Sequence, residues 1–129
     1  MIEFHLEQRT GVAPYMQLVQ QVKRALRLGL LQPGDQLPTV REVVTMIAIN
    51  PNTVFKAYRE LERDGLVESR PGLGTFVRTQ LRVPDHESLE RLRVSLQQWL
   101  EQAAGVGLDD ESVVDLLMDT LQKRRAALS

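Results

Sequence analysis

Asn50-Pro51-Asn52-Thr53-Val54-Phe55-Lys56-Ala57-Tyr58-Arg59-Glu60-Leu61-Glu62-Arg63 reads as a helix whose start is written into its first two residues. The Asn50 side-chain oxygen can accept from a first-turn amide, and Pro51, which has no N–H, suits the first helical position. Val54, Ala57, Tyr58 and Leu61 recur at helical spacing and define a face that has to be buried. Half a turn away stand Asn52, Lys56, Arg59 and Arg63, all carrying hydrogen-bond donors. After Gly65, the runs Leu66-Val67-Glu68-Ser69-Arg70 and Thr75-Phe76-Val77-Arg78 are strand-like and flank Pro71-Gly72-Leu73-Gly74, the makings of a glycine-tipped hairpin. A helix with one packed face and one donor face, followed by such a wing, has the layout of a nucleic-acid reader. The plain alternative is a solvated helix face. Asn52 favours the reader, because it lies in the first turn, where an amide can bond an adenine edge through two hydrogen bonds. Lys56 and Arg59 are placed for base or phosphate, and Arg63 for the backbone or solvent.

Working upstream, Thr39 and Glu42 have the spacing of a capping box, so a helix starts at about Val40 and buries Val43, Val44 and Ile47. It ends before Asn50, and two helices joined this closely form a helix-turn-helix over about residues 39–65. Gln32-Pro33-Gly34-Asp35-Gln36-Leu37-Pro38 is turn chemistry, with Pro38 barring helix at Leu37 and leaving room for only a short strand. Pro14 opens an earlier helix whose apolar face is Tyr15, Leu18, Val19, Val22 and Leu26, closed by Gly29. Ile2, Phe4 and Leu6 alternate with polar residues and suggest a short extended lead-in.

Downstream, Val83-Pro84-Asp85 reads as a linker, and Leu89, Leu92, Leu96, Trp99 and Ala103 then form the kind of seam one helix presents to another. Gly105-Val106-Gly107 breaks the chain, either Asp109 or Asp110 can cap the last helix, and Val113, Leu116, Leu117 and Leu121 give it an apolar face. A two-helix hairpin without cysteine rarely holds a core alone, so it has to pack on the reader domain, on a second copy of itself, or on both. A homodimer built mainly here is expected, through Leu89, Leu92, Leu96, Trp99, Leu117 and Leu121. The expected fold class is mainly α (α+β): residues 1–79 form a winged helix-turn-helix with its wing at 66–78, and residues 80–129 form a C-terminal two-helix dimerisation hairpin.

The 129 residues are 43% hydrophobic, enough for one domain or a small domain with an appendage. No segment approaches the run of about 18 apolar residues that a membrane helix needs. Met1-Ile2-Glu3-Phe4-His5 lacks the basic and apolar regions of a secretory signal, and there is no cysteine, which together fit the cytoplasm. The formal net charge is -1, which by itself argues against a nucleic-acid partner. Its distribution answers part of that objection: residues 1–79 hold ten Lys or Arg against eight Asp or Glu, and residues 80–129 hold six against nine. Contact has to come from a local stripe, with an affinity that falls as salt rises.

Catalysis has little support. His5 and His86, with Glu3 or Glu87 near them, sit in no motif with a nucleophile, so no enzyme is expected. Asp109-Asp110-Glu111 suits a helix N-terminus better than a metal site, and it lacks the glycine and alternating oxygen ligands of a calcium loop. No metal and no cofactor is expected.

The chain resembles the GntR-type transcription regulators, and more narrowly their short YtrA-like branch, from about Leu6 to Arg78. The segments that carry the resemblance are Leu31-Gln32-Pro33-Gly34-Asp35-Gln36-Leu37-Pro38, Thr39-Val40-Arg41-Glu42, Asn50-Pro51-Asn52-Thr53-Val54, Tyr58-Arg59-Glu60-Leu61-Glu62-Arg63-Asp64-Gly65-Leu66 and Gly72-Leu73-Gly74-Thr75-Phe76-Val77. The resemblance implies a regulator, most often a repressor in this branch, that dimerises on an inverted-repeat operator in double-stranded DNA. It also implies DNA contacts from Thr39, Arg41, Asn52, Thr53, Lys56 and Arg59, and a wing whose Gly72 and Gly74 backbone lies near phosphate at the minor groove. For Arg41, a surface ion pair with a nearby acid is the alternative.

Two departures stand out. Many members carry arginine where this chain has Pro51 and Phe55, and a basic residue between the wing glycines where it has Leu73. Pro51 is usual in the YtrA-like branch. Phe55 is expected to pack into the core in preference to touching a thymine methyl. Leu73 replaces a charged tip with an apolar one. Long members of the family carry a large effector domain; here a small-molecule effector of unknown identity would have to bind at the dimer interface, with Trp99 as its wall, where the alternative is Trp99 as plain dimer core. The competing functional classes are a winged-helix module that binds protein and a small-molecule-binding protein with no operator.

Overall fold

The computed structural model describes residues 2–128. Met1, which opens the stretch read above for a leader, and Ser129, which ends the 80–129 region, lie outside the described residues. The chain falls into two compact units, one reaching as far as Leu89 and the other starting at Glu90.

The first unit contains α1 (Pro14–Arg27), α2 (Val40–Ile47), α3 (Pro51–Arg63), β1 (Val67–Arg70) and β2 (Gly74–Val77). Its helices start where local chemistry says they should. Pro14 and Pro51 each occupy the first turn of their helix, and the Asn50 side chain accepts from the Asn52 amide at 2.8 Å. At α2 both arms of the capping box close: Glu42 N donates to Thr39 Oγ1 at 3.1 Å, and Thr39 N donates to Glu42 Oε1 at 3.0 Å.

The apolar stripes of the three helices meet in one core. Leu18 and Val22 of α1, Val43 of α2, Val54 and Leu61 of α3, and Val67 and Val77 of the wing are all 0% exposed. Burying each of these side chains contributes about 1.5–3 kcal/mol, so the stripes fix how the helices pack. β1 and β2 pair antiparallel, Val67 opposite Val77 and Arg70 opposite Gly74. The loop before α2 joins them as a third edge: Gln36 bridges Phe76, Leu37 N donates to Thr75 O at 2.8 Å, and Val77 N donates to Asp35 O at 2.7 Å.

The lead-in forms no strand, although Phe4 is buried and Ile2 and Leu6 pack on the core. Its backbone is held instead by two glutamines one turn apart on α1. Gln17 accepts from Glu7 N at 2.8 Å and donates to Glu7 O at 2.9 Å; Gln21 accepts from His5 N at 3.1 Å and donates to His5 O at 2.7 Å. Each side-chain amide satisfies a backbone donor and acceptor as a neighbouring strand would.

The first unit also extends ten residues past the expected boundary at residue 79. Leu81 and Val83 pack against the core, and Gln32 Nε2 donates to Gly29 O at 2.8 Å and to Pro84 O at 3.2 Å. Apolar residues in the linker draw it onto the domain.

α4 (His86–Gly105) begins in the first unit and continues into the second, where it is followed by α5 (Asp110–Leu128). Asp109 caps α5, accepting from Ser112 N at 2.9 Å, and the Ser112 hydroxyl and amide hold its carboxyl below the usual range. Among the described residues of this unit only Ala103 is buried. Its apolar side chains line an open groove of about 460 Å³ formed by Leu96, Trp99, Leu100, Val113, Leu116, Leu117 and Thr120.

Candidate nucleic-acid interface

The site is built on two short helices set at a fixed joint. α2 ends at Ala48, whose φ of 51° is left-handed, and Ile49 is buried before Asn50 opens α3. Only a tight reversal fits three residues between two helices, and Ala48 adopts the strained conformation to make it. A second clamp lies inside: the Tyr58 hydroxyl donates to Pro38 O at 2.6 Å, tying the middle of α3 to the residue before the α2 cap. Burial, and then the charge of Glu42, push the Tyr58 phenol well above its ordinary pKa, so it stays a donor.

With the core face of α3 committed, the remaining side chains point out. Asn52, Lys56 and Arg59 are exposed, and Thr53 is half-buried beside them. Lys56 is not loose: its Nζ lies 4.0 Å from the centroid of the Tyr15 ring on α1. Arg63 pairs with Glu60 at 3.3 Å. On α2, Thr39 is spent on the cap, while Arg41, the second residue of that helix, is exposed with no ion pair recorded among the described residues. Phe55 departs from expectation. It is 50% exposed, because it lies at the border of the apolar stripe and turns outward on the side of Asn52 and Arg59.

The wing is braced in a way the sequence does not advertise. Gln36 Nε2 donates to Leu73 O at 3.1 Å, and it lies 2.6 Å from where a Cβ on Gly74 would stand. Gly74 has φ 127° and Gly72 φ 76°, so the backbone favours glycine at both, and at Gly74 a Cβ would also push the Gln36 amide aside. Leu73 at the tip is 67% exposed. Arg70 cannot serve as a free cation, because Glu68 holds it at 2.8 Å and its guanidinium stacks 4.4 Å from the Phe76 centroid.

The first unit therefore carries Thr39, Arg41, Asn52, Thr53, Lys56 and Arg59 on α2, its cap and α3, and Gly72 and Gly74 at the wing tip. Of the six seam residues, Leu92, Leu96, Trp99, Leu117 and Leu121 are exposed in the second unit, at 66%, 53%, 38%, 51% and 38%. Leu89 is half-buried in the first unit, its Cδ2 3.0 Å from where a Cβ on Gly29 would stand. Sequence reasoning missed Gln36, the Gln17 and Gln21 pair, and the Lys56–Tyr15 contact. The spacing of Gln17 and Gln21 by four beside an apolar stripe was a usable signal; the other two had none.

No group of His, Asp or Glu that could hold a metal ion occurs among the described residues, and no described helix is long and apolar enough to cross a membrane.

Comparison with known proteins places this geometry. The family model for "Bacterial regulatory proteins, gntR family" matches residues 14–77, from the start of α1 to the end of β2. The HTH-type transcriptional repressor YtrA of Bacillus subtilis (strain 168) is 47% identical over 72 residues, which are 56% of this chain and 55% of that protein. The chain thus spans about half the length of that repressor. The uncharacterized HTH-type transcriptional regulator YhcF of the same bacterium is 36% identical over 101 residues, 78% of this chain and 84% of that protein. Among solved structures, AraR(DBD) in complex with operator ORX1 gives a TM-score of 0.53 at 27% identity, over 57% of this chain and 94% of that one.

Proposed function

The chain belongs to the gntR family of bacterial regulatory proteins, DNA-binding transcription regulators with a winged helix-turn-helix, and from that premise we propose that it is a cytoplasmic repressor which binds an inverted-repeat operator as a homodimer. The observation that carries the DNA-reading part is the outward face of α3, where Asn52, Lys56 and Arg59 stand exposed on a helix fixed at its N-terminus by the Asn50 cap. In this reading Asn52 and Arg41 read base edges in the major groove, and Lys56 and Arg59 read base or phosphate. Thr39, Thr53 and the Gly72–Gly74 wing backbone position the domain. Two copies of α3 then enter successive major grooves about 34 Å apart on one face of the duplex.

The dimer is supported by the second unit. Two helices that bury only Ala103 among their described residues, and leave Leu92, Leu96, Trp99, Leu117 and Leu121 in solvent, have an apolar surface in need of a cover. A second copy supplies the same surface in return, as two-fold symmetry requires. Repression follows the branch it resembles and is supported by the YtrA repressor among its relatives. The open groove beside Trp99 leaves a place for a small-molecule effector at the covered interface.

Gel retardation on duplexes from the promoter of its own operon tests the reading. A sequence-dependent shift that weakens steeply between low and moderate salt is expected. Retardation that is the same for every duplex would fit a non-specific or protein-binding module instead.

A further inference from the structure

Phe55 interrupts the polar outward face of α3 and stands half in solvent, at 50% exposure. It belongs neither to the buried core nor to the partly buried side chains packed against it. It follows Asn52 by three residues and precedes Arg59 by four, so the three share one stripe of the helix. At about 1.5 Å of rise per residue, Phe55 lies about 4.5 Å further along the axis than Asn52. Residues three apart on one helix face are neighbours, so Asn52 and Phe55 present their side chains side by side. A phenyl ring offers no hydrogen-bond donor or acceptor, so neither a base-edge polar atom nor a phosphate is a partner for it. The apolar feature that the major groove presents is the 5-methyl group of thymine.

Resting on the reading above, in which α3 enters the major groove, we propose that Phe55 reads the 5-methyl group of one thymine in each half-site, beside the base pair contacted by Asn52. The recognised feature is the methyl group and not the hydrogen-bonding pattern of the base. Uracil, which pairs as thymine does, is therefore rejected.

The test uses the full chain and duplexes that it enriches from a random library. Each thymine is replaced singly by deoxyuridine and the affinity is measured. One replacement in a half-site is expected to weaken binding about fourfold, the value of one buried methyl-sized group at about 0.8 kcal/mol, and replacement in both half-sites about 15-fold. Phe55→Ala is expected to bind the thymine duplex more weakly and to lose the distinction between thymine and uracil, whereas Phe55→Leu retains it. The DNA substitution leaves the protein untouched, so a folding defect cannot imitate the result. An enriched operator whose binding is indifferent to uracil at every position would overturn the role of Phe55 and leave the DNA-reading proposal standing. So would a Phe55→Ala variant that still prefers thymine. Failure to enrich any duplex would overturn both.

Discussion

Lys56 reaches back from α3 to place its Nζ 4.0 Å from the centroid of the Tyr15 ring, so a cation on the outward face is positioned by an aromatic residue on another helix. A cation held over a ring at the surface gains about 0.5–1 kcal/mol and loses part of its rotamer freedom before any partner arrives. Tyr15→Leu is therefore expected to weaken operator binding about twofold to fivefold, while the slope of log affinity against log salt stays unchanged. Lys56→Met, which removes the charge, is expected to lower that slope by about one contact. Fluorescence anisotropy across a salt series separates the two; identical slopes for Lys56→Met and the parent chain would show that Lys56 meets no phosphate.

Asn52 stands exposed in the first turn of α3, with its backbone amide already satisfied by Asn50 at 2.8 Å and its side-chain amide free to turn outward. Asn52→Ala should cost about 1–3 kcal/mol on the operator and little on random duplex. Equal losses on both would mean that Asn52 does not discriminate bases.

The wing gives a pair of contrasting substitutions. Gly74→Ala forces a Cβ to within 2.6 Å of Gln36 Nε2 at φ 127°, displacing the side chain that holds Leu73 O. Gly72→Ala meets no atom within 4 Å and carries only the backbone strain of φ 76°. Left-handed backbone costs an alanine about 1–2 kcal/mol, so both variants lose stability, and Gly74→Ala loses more because of the clash. Chemical denaturation should rank them in that order. The reverse order would mean that Gln36 moves aside without consequence.

Tyr58 links stability to pH. Its phenol is buried against Pro38 O at 2.6 Å, and its pKa is raised, first by burial and then by the charge of Glu42. A raised folded-state pKa means that the unfolded chain loses this proton first. The contribution of Tyr58 is complete below the ordinary tyrosine value of about 10 and is lost as pH rises past it. Tyr58→Phe, which leaves the Pro38 carbonyl without this donor, should cost about 1–3 kcal/mol at pH 8. That cost should shrink in urea titrations carried into the alkaline range, and a cost that grows with pH would contradict the assignment.

What the sequence revealed follows a physical division. The Asn50 cap, the Thr39–Glu42 box, Pro14 and Pro51 are interactions within one helical turn, so the residues that make them lie together in the chain and were legible. The buried faces of α1 and α3 were legible because helical periodicity reports the core without naming what is packed against it. Gln36 bracing Leu73 and Lys56 over Tyr15 join residues more than thirty positions apart, and nothing local marks them. Phe55 is exposed for a different reason: at the border of an apolar stripe a small rotation decides between core and solvent, and the helix turns it outward. The domain boundary moved because Leu81 and Val83 found apolar surface to cover.

In the proposed function, two copies of this chain present the Asn52, Lys56 and Arg59 face to adjacent turns of one double helix. Sedimentation of the protein with a fluorescent duplex that it has enriched, in parallel with a scrambled duplex at the same salt, tests it in a single experiment. A complex of two protomers per enriched duplex is expected, with affinity at least about 10³-fold above that for the scrambled one. A monomer that binds the two duplexes equally, or binds neither, would contradict it.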